Sequence, residues 1–225
     1  NQWCTISKHR MFSNMDNTEK KYKQAFLLFT ISQFFMMLGL LEYGSYIKAI
    51  SEIMGIFVIF QLVAFIMMIA AATKLHDFNK NFFYAFITSI ICLFTSLLSF
   101  VGSEATEDFT IAWARGMDVS ATILICVAYA YFFLGCKDYF IKEGMERNAK
   151  RCRFGFFYVI GMTILINLMA FIGSFNAIKT NYLVAAIFKY GALAMKLAMY
   201  LFMFIILVIM MRAMKKKEKE EEAHE

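Results

Sequence analysis

Polar and apolar positions along this chain fall into long blocks, not into a short alternation. Six apolar runs lie at about 24–42, 55–73, 82–102, 118–135, 154–173 and 185–211. Each comes close to the length that a helix needs to cross about 30 Å of hydrocarbon. Lipid offers no partner to an open backbone, so a spanning segment is a helix or a strand of a closed barrel. Barrel strands alternate with period two, and these runs do not. The pattern predicts an all-α integral membrane protein with six transmembrane helices. A tail at 1–23 should precede a transmembrane domain at 24–212, and a charged tail should follow at 213–225. Residues 1–14 have neither the apolar core nor the cleavage site of a signal peptide, and Met15 reads as a natural start. That stretch is expected to be an upstream extension or a disordered tail.

The spans also suggest an internal repeat. The odd-numbered runs end on Gly44-Ser45, Gly102-Ser103 and Gly173-Ser174, and the even-numbered runs open near Gly55, Gly116 and Gly191. The expected architecture is three sequential helical hairpins, at 24–73, 82–135 and 154–212. All three would share one orientation, a threefold parallel repeat unlike the inverted repeats of many transporters.

Charge sets the expected orientation. Lysines and arginines near the ends of membrane helices mark the cytoplasmic side. They crowd at Lys20, Lys21 and Lys23, at Lys74 and Lys80, between Lys137 and Arg153, and from Arg212 to Lys219. The other side carries only Lys48, Arg115, Lys179 and Lys189. Both termini should therefore be cytoplasmic. The net charge of +6 reads as a topology signal, with no nucleic-acid partner expected. The charge bias and compact loops suggest a multi-pass protein of a cell membrane, a bacterial-type inner or plasma membrane. The C-terminal KKKEKEEEAHE continues the last helix into water, with Lys216 and Glu220 at helical pairing distance.

Composition narrows the classes. Of 225 residues 60% are hydrophobic, and none is proline, which excludes families whose membrane helices carry kinking prolines. Cys4, Cys92, Cys126, Cys136 and Cys152 form no CxxC and no Cys/His spacing for a metal. They read as reduced thiols, with Cys136 and Cys152 flanking one cytoplasmic loop. No cofactor and no metal site is expected. His9, His76 and His224 lie at the cytoplasmic side or in tails, and no HExxH, Walker or GxSxG sequence occurs. No enzyme activity is expected.

Polar residues within the spans are the remaining candidates, because lipid penalises them unless they are used. Gln61 and Thr122 lie six residues inward of Gly55 and Gly116, and Lys196 lies five inward of Gly191. Ser96 and Asn167 each lie six before their Gly-Ser glycine, so all five share a depth roughly 8–9 Å below the outer boundary. Gln33 and Thr95 lie near that layer. Lys196 is the strongest pointer, since a membrane-embedded charge needs a partner, hydration or a route to the interface. Asp118, one turn higher on an equivalent helix, is the favoured partner.

The expected ligand site is Lys196, Asn167, Gln61, Ser96, Thr122 and Asp118, an outward-facing polar pocket for a small polar or anionic ligand. The expected function is a small transport or channel component. The alternative is a structural, sensor or immunity subunit of a membrane complex, with an intramembrane enzyme a distant third. The expected partners are the lipid bilayer, and a membrane subunit or a second copy of the chain.

Overall fold

The computed structural model describes residues 2–40, 54–103, 108–173, 175 and 181–222. Nearly all of them belong to helices: α1 (Gln2–Gly39), α2 (Met54–Leu75), α3 (Lys80–Ser103), α4 (Asp108–Lys142), α5 (Glu146–Gly173) and α6 (Tyr182–Glu222). No strand occurs among the described residues. Among the described residues four stretches are long and apolar enough to cross a membrane: Lys80–Leu98, Val119–Lys142, Glu146–Gly173 and Tyr182–Lys216. Among the residues whose side chains are described, α2 adds the apolar stretch Ile59–Leu75. In α1 the apolar stretch begins only after Lys20, Lys21 and Lys23. Gly44-Ser45, the expected end of the first span, lies outside the described residues.

Three helices run well past their expected ends, and α1 begins at Gln2, so the stretch expected as an extension or disordered tail is helical from there. The 35 residues of α4 would reach about 52 Å and the 41 of α6 about 62 Å at 1.5 Å per residue. Gly116 and Gly191 therefore lie inside helices and do not open them. Gly191 has a packing use there: a side chain on it would collide with the Met169 methyl.

Each helix packs on its neighbours in sequence, and α6 returns to α1, which closes a ring of six. The turns fix the order. Residues 143–145 form a Schellman cap: Met145 N–H donates to the Phe140 carbonyl at 2.8 Å, Gly144 N–H to Ile141, and Gly144 has a φ of 70° that suits glycine. Asn79 caps α3, its side-chain oxygen accepting from Asn81 N–H at 2.9 Å. Its amide also donates to Asp138 on α4 at 2.8 Å, and the Asn81 amide reaches the same carboxylate oxygen at 3.1 Å. The first turn of α6 is held by Asn181, which accepts from Val184 N–H.

These contacts gather the basic segments at one end of the ring. There Lys74 donates to Gln24, and Lys21 lies over the Phe78 ring. Tyr22 stacks on Tyr139 with centroids 3.7 Å apart. Burial, with the nearby Glu143 and Asp138 carboxylates adding to it, holds the Tyr22 phenol well above its ordinary value.

Large rings seal the middle of the bundle. Phe29 of α1 and Phe132 of α4 stack at 3.8 Å, and Phe26 and Phe82 meet Phe132 edge-on. Each of these rings is at most 2% exposed. Aromatic side chains thus bridge α1 and α4 across the ring. Glycines let neighbouring helices approach: the Phe82 ring sits against Gly135, and the Phe133 ring against Gly155.

Candidate functional site

The buried stripe of α6 runs through Met199, Met203, Ile206, Met210 and Met214. Steps of three and four residues continue the same stripe outward through Lys196, Ala192, Phe188 and Ala185. On α5 the buried stripe runs through Cys152, Gly155, Val159, Thr163 and Ile166. The same spacing carries it to Ala170 and Gly173. At the end away from the basic segments both stripes take up alanine and glycine, beside Phe188 and Lys196. The space left is a half-open cleft of about 300 Å³, lined by Met169, Ala170, Gly173, Ala185, Phe188, Tyr190, Ala192, Leu193 and Lys196.

Lys196 forms the inner end of this cleft and supplies its one cationic group among those lining residues. One turn further in, Tyr200 is 5% exposed and its ring lies edge-on to Tyr129 at 6.4 Å. The Tyr129 hydroxyl donates to the Gln33 side-chain oxygen at 2.8 Å. The Gln33 amide in turn donates to Ser32 Oγ at 3.1 Å and to the Phe29 carbonyl at 3.3 Å. Tyr129, Gln33 and Ser32 are fully buried, and no buried side-chain polar atom among the described residues lacks a partner. A satisfied polar cluster thus lies inward of the cleft, in the bundle interior.

The other expected site residues sit elsewhere. Gln61 turns to α1, where its amide donates to the Gly39 carbonyl at 3.3 Å and its stem packs on Gly39. Asn167 donates back to the Thr163 carbonyl of its own helix at 2.8 Å. Ser96 is half-buried and bonds with Cys92, whose thiol also donates to the Ala121 carbonyl across the α3–α4 contact. Thr122 is half-buried on α4. The side chain of Asp118 lies outside the described residues, and with it the expected ion pair to Lys196. Of the five candidates with described side chains, Lys196 alone lines the cleft.

Reading by depth missed Tyr129, Tyr200 and Asp138. Tyrosine counts as apolar in a hydropathy block, so a mid-span hydroxyl leaves no trace there. Asp138 sits at a predicted helix end, where a carboxylate is unremarked, and only the fold shows two asparagines from another turn converging on it.

Among the described residues no group of three His, Cys, Asp or Glu side chains converges as metal ligands would. No protein-family model, curated protein or solved structure matches the chain.

Proposed function

We propose that this chain is a small transport component of a cell membrane, with six spans, three hairpins of common orientation and both termini cytoplasmic. Its ligand is a small anion with an apolar body, admitted from the outer side into the cleft between α5 and α6. The observation that carries this reading is the cleft itself. Two stripes that are packed elsewhere in the bundle take up alanine and glycine beside Phe188 here, and Lys196 lines the space. The volume is at the lower end for small-molecule pockets, which are mostly apolar with few polar groups. An ammonium among methionine, alanine and aromatic surface selects a carboxylate or similar head on an apolar tail. The stacked Phe29 and Phe132 rings would make this the inwardly closed state of such a component.

A purely structural subunit would have no reason to leave this volume at the end of two core stripes, so the cavity favours the ligand-binding reading over that alternative. The test is thermal stability of the chain in lipid nanodiscs with octanoate, against octylammonium as the charge-reversed control. Octanoate should stabilise the wild type, octylammonium should not, and Lys196→Met should remove the octanoate effect while leaving the ligand-free midpoint in place. Equal responses to the two amphiphiles, or an unchanged octanoate response in Lys196→Met, would sink the reading.

A further inference from the structure

The short turn at 143–145 sets the register between α4 and α5. Phe133 lies on Gly155, and Cys126 Sγ reaches the Val159 carbonyl at 3.9 Å. The same register, counted outward from Gly144, brings Cys136 level with Cys152. Both thiols are 0% exposed and within electrostatic reach of each other. A third sulfur completes the group: Cys152 Sγ lies 3.4 Å from Met210 Sδ of α6, which is also 0% exposed. Cys136 and Cys152 thus lie at matching levels of α4 and α5, and Met210 of α6 touches Cys152, all in the basic-end half of the bundle.

We propose that Cys136, Cys152 and Met210 form a binding site for a monovalent soft metal ion, Cu(I). The donor set decides the ion. Thiolate and thioether sulfurs favour Cu(I), whereas magnesium, calcium and manganese need oxygen and structural zinc takes four ligands. Cu(I) accepts three sulfurs in a trigonal arrangement. Each cysteine binds as its thiolate, so binding would displace both thiol protons to solvent and leave the filled site with one net negative charge. The two cysteines flank one turn in the sequence, and the hairpin register brings them level. The site is separate from the cleft at Lys196 and does not depend on the ligand proposed there.

The test uses the full chain, reduced and anaerobic in nanodiscs, titrated with Cu(I) in competition with bicinchoninate. One Cu(I) per chain should be retained against the chelator. Cys136→Ala and Cys152→Ala should each abolish retention, and Met210→Leu should weaken it by about tenfold, as for one lost ligand. Cys92→Ala and Cys126→Ala should retain it. The copper-edge X-ray absorption of the wild-type complex, which needs no variant to fold, should show a shell of three sulfurs. Retention that survives the Cys136→Ala/Cys152→Ala pair, no retention by the wild type, or a nitrogen and oxygen shell would each overturn the proposal.

Discussion

Substituting Gly155 by alanine places a methyl group where the Phe133 ring now lies. The added Cβ would stand 2.6 Å from the ring carbon Cζ, closer than real Cβ contacts occur. Phe133 is fully buried in the α4–α5 interface, so the ring cannot swing away without moving its neighbours. Overpacking of this kind costs about 1–3 kcal/mol. Alanine also favours the helix over glycine by about 1 kcal/mol. The net expectation is a loss of roughly 0–2 kcal/mol. Gly161 on the same helix supplies the control, because a Cβ there meets nothing within 4 Å. Gly161→Ala keeps the helical gain without the clash and should stabilise by up to about 1 kcal/mol. The two variants should therefore differ by roughly 1–3 kcal/mol, measured as unfolding free energy in mixed micelles. Phe133→Leu combined with Gly155→Ala should recover part of the loss, and a double-mutant cycle reads the coupling. Equal stabilities for Gly155→Ala and Gly161→Ala, or no coupling to Phe133, would refute the register assigned to α4 and α5. The placement of Cys136 opposite Cys152 would fall with it.

Two further outcomes follow from the interior and the basic end. Tyr129→Phe strips Gln33 of a buried donor and should cost about 1–3 kcal/mol, whereas Tyr129→Phe combined with Gln33→Leu should cost less than the sum of the two single changes. The check is the same unfolding measurement, and strict additivity would dissolve the cluster. Tyr22 gives a pH dependence. Its folded-state phenol is held above the ordinary value of 10.0, so the unfolded chain loses that proton first as pH rises. The Tyr22 contribution is whole below about pH 10 and is lost as pH rises above it, so wild-type stability should fall between about pH 10 and pH 12 more steeply than that of Tyr22→Phe. Parallel pH profiles would contradict the burial of Tyr22 against Tyr139.

Long unbroken apolar blocks made the helical membrane class plain in the sequence, and the basic clusters gave the end at which Tyr22, Asn79 and Asp138 meet. The ring closure and the aromatic bridge were not legible. A span that is apolar on every side carries little amphipathic signal, so nothing in the pattern shows that Phe29 and Phe132 face each other. The expected site shows the same limit. Depth along a helix can be counted from its ends, and it placed Lys196 and Gln61 in one layer. Depth says nothing of direction around the axis. Gln61 points at Gly39 on α1, while Lys196 continues the core stripe of α6, so the two share a level without sharing a pocket. The stripe at Met199, Met203 and Met210, extended outward in helical steps, could have shown that Lys196 faces inward among alanines. The α4–α5 register, by contrast, depends on the cap at Gly144 and the three-residue turn, which hydropathy blocks cannot resolve.

The central claim is that the Lys196 cleft opens on the side of the membrane opposite the basic end. In a chain whose native cysteines are replaced, Ala192→Cys tests one side and Glu146→Cys, on the exposed first turn of α5, tests the other. A membrane-impermeant maleimide applied to sealed, oriented vesicles should modify Ala192→Cys from the outer side only and Glu146→Cys from the inner side only. Modification of both from the same side, or an Ala192→Cys thiol reached only from the side of Glu146, would contradict the account.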